Sequence, residues 1–414
     1  MADIGMLIYE LLIRLSNIGL YCASFFSPKL KLLVDGRKTS FGRIESEKKK
    51  RRQSQVLWFH CSSLGEFEQG RPLIELIKRD KPDFFIYLSF FSPSGYEIRK
   101  NYNGADCIFY LPSDTKYNAR QLINVIKPDA FVLIKYDYWW NLLFEMNKNN
   151  VPVYLISAVF RKDQYFFRPG MSLFLNILRS FKAIFVQDEN SLNLLRSLNF
   201  HNIILNGDTR TDRVLAIADS AIIDPAITEW CGDRKVIVYG SIWENDLPAI
   251  TNFIRNNAQY RHILAPHDIS ESKVKSIISG LGSNIGLYSG SDYACSILLI
   301  DSIGVLNQLY KIADLAYIGG GFGKSIHNIL EPAVFGIPVV FGPNFKKFNE
   351  AVILIEKGIA FTIQNSNEFD KTVIPLIEHS ENIKRIKEAS TIFFEQQKGA
   401  TSRAVEIILK DLAL

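Results

Sequence analysis

The sequence is poor in the residues that build metal cages and covalent staples. Its five cysteines, Cys22, Cys61, Cys107, Cys231 and Cys295, stand far apart and none forms a Cys-x-x-Cys pair. A zinc cage or a disulfide framework is therefore not expected, and a reducing, cytoplasmic compartment fits best. An excess of one charge sign is also missing: 48 Lys and Arg against 43 Asp and Glu leave a formal net charge of +5. That is too small for a dedicated nucleic-acid binder, so no nucleic-acid partner is expected. Gly and Pro, at 25 and 15 of 414 residues, are too few for a fibrous or low-complexity chain. What remains is a globular composition, 47% apolar and 22% charged, long enough for about two domains.

A long apolar run occurs only at the N-terminus. Residues 6–26, MLIYELLIRLSNIGLYCASFF, are of nearly bilayer-spanning length. Glu10 and Arg14 interrupt the run at i,i+4, where they can pair on one helical face, and they weigh against a true span. No basic segment precedes the run, so a cleaved signal peptide is a poor match. Lys29, Lys31, Arg37, Lys38 and the run Lys48 to Arg52 follow it. An apolar helix followed by cationic segments suits an anionic inner leaflet. The alternative is a helix packed on the protein with a solvated linker after it.

Beyond this segment, short β-rich runs alternate with helical stretches. Candidate strands in the first half are Val56–His60, Phe84–Phe90, Cys107–Leu111, Ala130–Ile134, Val153–Ala158 and Ala183–Gln187. The pattern restarts with Lys235–Gly240, Arg261–Ala265, Ser296–Ile300, Leu315–Ile318 and Ile337–Phe341. Continuous apolar strands alternating with helices predict parallel sheets covered on both faces. Two such runs predict an α/β protein of two Rossmann-like domains, divided within residues 211–233, where no clear strand occurs. Ligands of doubly wound sheets bind outside the carboxyl ends of the strands. The sites are thus expected in the loops after strands, facing a cleft between the domains.

One such loop is rich in glycine. Gly319, Gly320, Gly321 and Gly323 follow the strand Leu315–Ile318. Successive glycines let a backbone approach a ligand closely. A helix starting near Asn328 to Pro332 would aim free N–H groups at the same place, which suits a phosphate. A Walker A loop would need Gly at 318, which is Ile, and a dinucleotide fingerprint would need Gly at 324, which is Lys. Glu331 falls one turn after Asn328, so both can face one ligand. A carboxylate there can accept from a ribose diol while His327 and the backbone hold phosphate. A helix cap with a first-turn acid accounts equally for Glu331. Upstream, Asp301 or Ser302 is a good N-cap for a helix over Val305–Ile312, leaving the N–H groups of Ile303, Gly304 and Val305 as donors. Pro266-His267 and Gly240-Ser241 end two further strands.

In the first half, strand Val56–His60 runs through Cys61, Ser62 and Ser63 into a helix over Phe67–Arg79. Glu66 sits in that strand-to-helix loop. The helix N-terminus is expected to favour its ionised form, which suits a general base; stability alone also explains a first-turn acid. Ser92 and Ser94 lie in the next strand-end loop. Lys135 to Asn141, KYDYWWN, follows the fourth strand, and its aromatics with charges fit a carbohydrate or lipid headgroup, or a core. Arg210 and Arg213 are candidate contacts for anionic groups.

Together these segments resemble one family, the 3-deoxy-D-manno-octulosonic acid (Kdo) transferases of bacterial lipopolysaccharide synthesis. The likeness rests on WFHCSSLGEFEQGRPLI, SPSG, YLPSD, YDYWWN, ISAVF, FVQDENS, NGDTR, YGS, APH, DSIGVLNQLYKIADLAYIGGG and HNILEP, in that order. It runs from the N-terminal apolar helix to about residue 360. The resemblance implies a glycosyltransferase-B fold, no metal or other cofactor, CMP-Kdo as donor and the tetraacyl lipid A precursor (lipid IVA) as acceptor. It implies a place on the cytoplasmic face of the bacterial inner membrane, against its anionic surface. It puts Glu66 at the catalytic base. It puts Pro266, His267, Ile303, Gly304, Val305, Asn328, Ile329, Leu330 and Glu331 at CMP-contacting positions, with Ser241, Gly320, Gly321 and His327 beside them. Ser92, Ser94, Lys135, Asp137 and Arg210 are expected on the acceptor or anionic-group side. The expected domains are a membrane-anchoring helix over 1–28, an acceptor-binding domain over 29–215 and a donor-binding domain over 216–414. Three departures stand out: many members read Pro-Arg-His where this chain has Ala265-Pro266-His267, many carry Glu where it has Lys135, and the loop before His327 differs. Lys324 offers a cation for phosphate or the Kdo carboxylate. The rival readings are a same-fold sugar-nucleotide 2-epimerase and a non-catalytic binding protein for the nucleotide or the lipid A precursor.

Overall fold

The computed structural model describes residues 2–51, 54–135, 137–168, 172–282 and 284–412. Arg52 and Tyr136 lie outside them. The chain forms two compact units, Met1–Asp212 with Gly399–Leu414, and Arg213–Lys398.

The first unit opens with helices α1 (Ala2–Ser24) and α2 (Pro28–Lys48). Ser27 caps α2 and Pro28 occupies its first turn, where a missing N–H costs nothing. Leu33, Ser40 and Ile44 form its buried stripe, the Ser40 hydroxyl donates to the Tyr110 carbonyl at 2.7 Å, and Arg37 donates to the Leu111 carbonyl. Residues 28–48 are thus a packed helix and not a solvated linker.

Seven parallel strands follow: β1 (Val56–Cys61), β2 (Phe85–Phe90), β3 (Cys107–Tyr110), β4 (Ala130–Ile134), β5 (Val153–Ala158), β6 (Ala183–Val186) and β7 (Ile203–Leu205). Their order is β3-β2-β1-β4-β5-β6-β7. Side chains alternate across the sheet, so Val56 and Trp58 enter one core cluster and Leu57, Phe59 and Cys61 the other. Helices α3 (Leu64–Asp80), α4 (Pro93–Arg99), α5 (Lys116–Ile126) and α6 (Trp140–Lys148) follow the first four strands.

The C-terminal helix Ala400–Asp411 returns to this unit. Its Ala404, Val405 and Ile408 join the cluster that holds Phe67, Leu73 and Ile77 of α3. The Asp212 carboxylate accepts from the N–H groups of Gly399 and Thr401 at 2.6 and 2.7 Å. This corrects the expected 216–414 domain: the division falls at Asp212/Arg213, and the last residues leave the second unit.

The second unit holds β8 (Val236–Ile242), β9 (Arg261–Pro266), β10 (Ile285–Leu287), β11 (Ile297–Leu299), β12 (Leu315–Ile318), β13 (Val339–Phe341) and β14 (Ala360–Thr362), all parallel. Their order is β10-β11-β9-β8-β12-β13-β14. Apart from the edge strand β10, this repeats the winding of the first sheet, so the two Rossmann-like halves expected from the sequence are present. Helices α7 (Glu271–Leu281), α8 (Leu306–Leu309) and α9 (Leu330–Ala333) follow β9, β11 and β12. In each sheet the winding reverses at one pair of strands, β1 with β4 and β8 with β12. Loops leaving the carboxyl ends of such a pair part to opposite faces and leave room for a ligand.

Candidate active site

At the first reversal point, β1 runs out through Ser62 and Ser63. Ser63 caps α3 by accepting from the Glu66 N–H, and the Glu66 carboxylate turns back to accept from the Ser62 N–H. Lys135, at the end of β4, sits at φ +67°, a left-handed conformation uncommon for a side-chain-bearing residue. Burial raises the Glu66 carboxyl to about 8, and the nearby Asp137 carboxylate adds to the rise. These outweigh the opposing pull of the Ser62 and Ser63 amides and of Lys135. Burial likewise lifts Asp137 to about 6. The expectation that the helix N-terminus keeps Glu66 ionised is thus reversed, because loss of water costs more than the amides return. A carboxyl with proton affinity near neutrality can take up and return a proton at working pH.

A polar chain with little signature in the sequence supports this loop. His60 is fully buried and burial drops it to about 3, so it is neutral. Its Nδ1 lies 2.8 Å from the Ser89 hydroxyl, and its Nε2 accepts from the Trp139 indole at 2.9 Å and lies 3.3 Å from the Ser62 hydroxyl. A polar residue in a strand otherwise reading VLWFHC was its only signal. The Ser92 N–H donates to the Ser62 carbonyl at 2.8 Å, and Ser92 caps α4 by accepting from the Ser94 N–H. The Ser92–Ser94 loop therefore lies beside the Glu66 loop. Arg210 forks onto the buried Asp208 carboxylate at 2.6–3.1 Å, so its charge already serves an ion pair inside the protein.

At the second reversal point the glycines serve the protein's own backbone. A Cβ on Gly319 would collide with the Ser241 carbonyl, one on Gly320 (φ +90°) with the Ser325 carbonyl, and one on Gly321 with Gly342. Only Gly323 of this run has room around it. The close approach expected toward a ligand is, for these three glycines, an approach to protein. Fully buried Asp246 fastens the loop, accepting from the Trp243 and Gly320 N–H groups at 2.8 and 2.9 Å and from the Tyr317 hydroxyl at 2.9 Å. Ser241 itself adopts φ +52° at the irregularity between Gly240 and Ile242.

A pocket of about 500 Å³ opens here. Trp243, Glu244 and Asn245 after β8, Pro266 and Asp268 after β9, Lys273 of α7, and Gly320, Gly323, Lys324, Ser325 and His327 after β12 line it. Trp243 stacks on His267 at 4.3 Å between ring centroids, and its indole N–H donates to His327 Nε2 at 2.8 Å. His267 and His327 are 4.5 Å apart. Burial, reinforced by His267, lowers His327 to about 4. His327 is therefore a neutral, engaged ring and brings no positive charge to a phosphate. The pocket's cations are Lys324 and Lys273, the latter 2.8 Å from Glu244. Trp243 was not singled out in the sequence.

Of the residues expected around a nucleotide, Pro266, Gly320 and His327 line this pocket and His267 backs it. Ser241, Gly321, Ile303 to Val305 and Asn328 to Glu331 emerge from the same sheet edge without lining it. Asn328 donates to Glu331 at 2.9 Å and its side-chain oxygen accepts from the Leu330 N–H at 3.2 Å. Burial lowers the pKa of Arg213, opposed by the nearby Glu331 carboxylate. Ile329 and Leu330 are buried, so their side chains belong to the core. The expected helix beginnings are shorter than foreseen. α9 is a single turn, and the stretch 305–312 is α8 followed by a 3-10 turn over Tyr310–Ile312. Asp301 caps neither; it accepts from the N–H and hydroxyl of Ser289, and no side chain caps α8. Ile303 stands 89% exposed.

The family model described as 3-deoxy-D-manno-octulosonic-acid transferase (kdotransferase) matches residues 36–213, which include the Glu66 loop. A bifunctional glycosyltransferase/methyltransferase of Fusobacterium nucleatum is 27% identical over 94% of this chain, which spans 61% of that longer protein. The 3-deoxy-D-manno-octulosonic acid transferase of Aquifex aeolicus is 24% identical over 80% of this chain and 88% of its own length. Among solved structures, MurG of Acinetobacter baumannii superposes with a TM-score of 0.56 at 13% identity, covering 86% of this chain and 99% of its own. At that identity the likeness shows the fold alone, two parallel-sheet α/β units as in glycosyltransferase-B enzymes. The chain is a glycosyltransferase of this fold, related over most of its length to the 3-deoxy-D-manno-octulosonic acid transferases.

Proposed function

We propose that the protein transfers Kdo from CMP-Kdo to the tetraacyl lipid A precursor, lipid IVA, at the cytoplasmic face of a bacterial inner membrane. Glu66 takes the proton of a primary hydroxyl on the acceptor glucosamine. The freed oxygen attacks the anomeric carbon of Kdo, the bond from that carbon to the phosphate oxygen breaks, and CMP leaves with the bonding pair, so the anomeric centre inverts. The observation that carries this reading is the Glu66 carboxyl itself. It is held at the β1 reversal point by the Ser62 amide and poised near neutral pH. Lys324 and Lys273 at the second-unit pocket are suited to the phosphate and the Kdo carboxylate. With those cations available the reaction needs no metal, and chelation with EDTA is expected to leave the rate unchanged.

The test combines CMP-Kdo, lipid IVA and the protein, with products read by mass spectrometry. Glu66→Gln is expected to slow Kdo addition by about 10²-fold or more, the range for loss of a general base, with CMP affinity little changed. Undiminished transfer by Glu66→Gln removes the assigned role. Conversion of the sugar nucleotide without any acceptor would instead indicate an isomerase.

A further inference from the structure

Helix α1 wears its polarity inside out. Three of its polar side chains, Tyr9, Glu10 and Asn17, face the first unit. The Tyr9 hydroxyl donates to the Asp114 carboxylate at 2.8 Å, and the same carboxylate accepts the N–H groups of Asn141 and Leu142 at 2.9 Å. Glu10 accepts from the Lys116 N–H at 3.1 Å and from the Asn141 side chain at 3.0 Å. Asn17 accepts from the Ser113 hydroxyl at 2.6 Å. These three residues fall on one helical face, at the spacing of two turns.

The opposite face is apolar and uncovered. Leu7, Ile8, Leu11, Leu12, Leu15 and Ile18 are 54–69% exposed, and Phe26 is 90% exposed. Left in water, each such side chain forgoes the gain that burial of its exposed surface would bring. Two further exposed aromatics stand on the segments that hold α1: Tyr117, next to Lys116, is 67% exposed, and Phe144, one turn after Asn141, is 39% exposed. Exposed Arg14, Lys29 and Lys31 accompany it, a charge suited to anionic headgroups.

We propose that α1 lies flat at the headgroup–acyl boundary of an anionic bilayer, pinned parallel to its surface by Tyr9, Glu10 and Asn17, and does not cross it. At 23 residues the helix is long enough to cross. Crossing would break the pins and carry Glu10, Arg14 and Asn17 into hydrocarbon, or drag the polar loop 113–116 in with them. Lying flat requires neither. The pins also fix where the bilayer meets the unit. The Trp140 N–H points at the Tyr9 hydroxyl, and neighbouring Trp139 reaches His60 beside the Glu66 loop. The loops after β3 and β4 that hold α1 leave the same sheet edge as the loop of Glu66. An acceptor can therefore offer a hydroxyl at headgroup level while its acyl chains stay in the membrane. The proposal rests on the membrane-surface reading given under the proposed function.

The test uses the full chain on vesicles of phosphatidylcholine with phosphatidylglycerol. Cys22 is exposed and the other four cysteines are buried, so it accepts an environment-sensitive fluorophore alone. Ile8→Cys and Leu15→Cys, each combined with Cys22→Ser, place the label two heptads and one heptad earlier, respectively, on the same exposed face. Depth is read with quenchers attached at the headgroup and at mid-chain. The expected result is one shallow depth for all three positions, lost in a Tyr9→Phe, Glu10→Gln, Asn17→Ala variant that still binds. A graded depth passing through the bilayer centre overturns the flat helix while leaving membrane attachment intact. No vesicle binding, or labels shielded instead in a protein dimer, overturns both.

Discussion

Ionising Glu66 should strain the folded protein in a measurable way. Its carboxyl moves from an ordinary 4.5 to about 8 on folding, chiefly through burial. At about 1.4 kcal/mol for each tenfold change in proton affinity, the displacement corresponds to about 5 kcal/mol. The sign follows from proton binding. Between these values the native state holds a proton that the unfolded chain has released, so stability is full below about pH 4.5 and falls as pH rises toward 8. Glu66 keeps a partly exposed edge, through which water recovers some of that cost, so a loss of about 2–5 kcal/mol is expected. Glu66→Gln removes the ionisation while keeping the shape. Urea unfolding of both proteins, from acid to alkaline pH, should show Glu66→Gln gaining on the parent as pH rises. Comparing the two cancels the smaller drift from Asp137. In the same range kcat/KM of the parent should climb toward a plateau above about pH 8. A stability gap that does not change with pH would refute the burial argument, whatever the activity does.

Three further outcomes follow from the second unit. Trp243→Phe keeps a ring against His267 but removes the N–H bonded to His327. The donor KM should rise about tenfold, the worth of one hydrogen bond, and the His327 titration, followed by NMR, should move up from about 4; an unmoved His327 would discount the bond. Asp246→Ala strands three donors around a buried site and should cost the second unit about 3–5 kcal/mol in urea unfolding, whereas Asp246→Asn should cost less. Gly319→Ala drives a methyl group into the Ser241 backbone and should destabilise by about 1–3 kcal/mol or more, while Gly323→Ala, with space around it, should stay within about 1 kcal/mol. Equal effects of the two alanines would contradict the packing account.

The central strands were legible because each is a continuous apolar run buried on both faces, as VLWFHC in β1 shows. β7, β10 and β14 escaped because each is a three-residue edge strand with little buried side chain to mark it. Helix α2 hid behind its lysines; its stripe of Leu33, Ser40 and Ile44 at helical spacing was the available signal. Glu66 and the strand-end loops could be placed from sequence because topology dictates where such loops emerge. Their electrostatics could not. The local pattern of a first-turn acid says ionised, and only the burial supplied by distant residues reverses it. The Trp243, His267 and His327 stack was equally out of reach, since it joins loops from three strands.

The return of the C-terminal helix has a consequence for synthesis. Ala404, Val405 and Ile408 complete the apolar layer over α3, although α3 itself is made more than 300 residues earlier. A chain emerging from the ribosome must therefore hold the Glu66-bearing half with one side unsealed while the whole of Arg213–Lys398 is produced. The contiguous second half can mature first. Premature termination near residue 398 would thus spare the later-made half and harm the earlier one, and chaperone dependence should concentrate on that waiting surface.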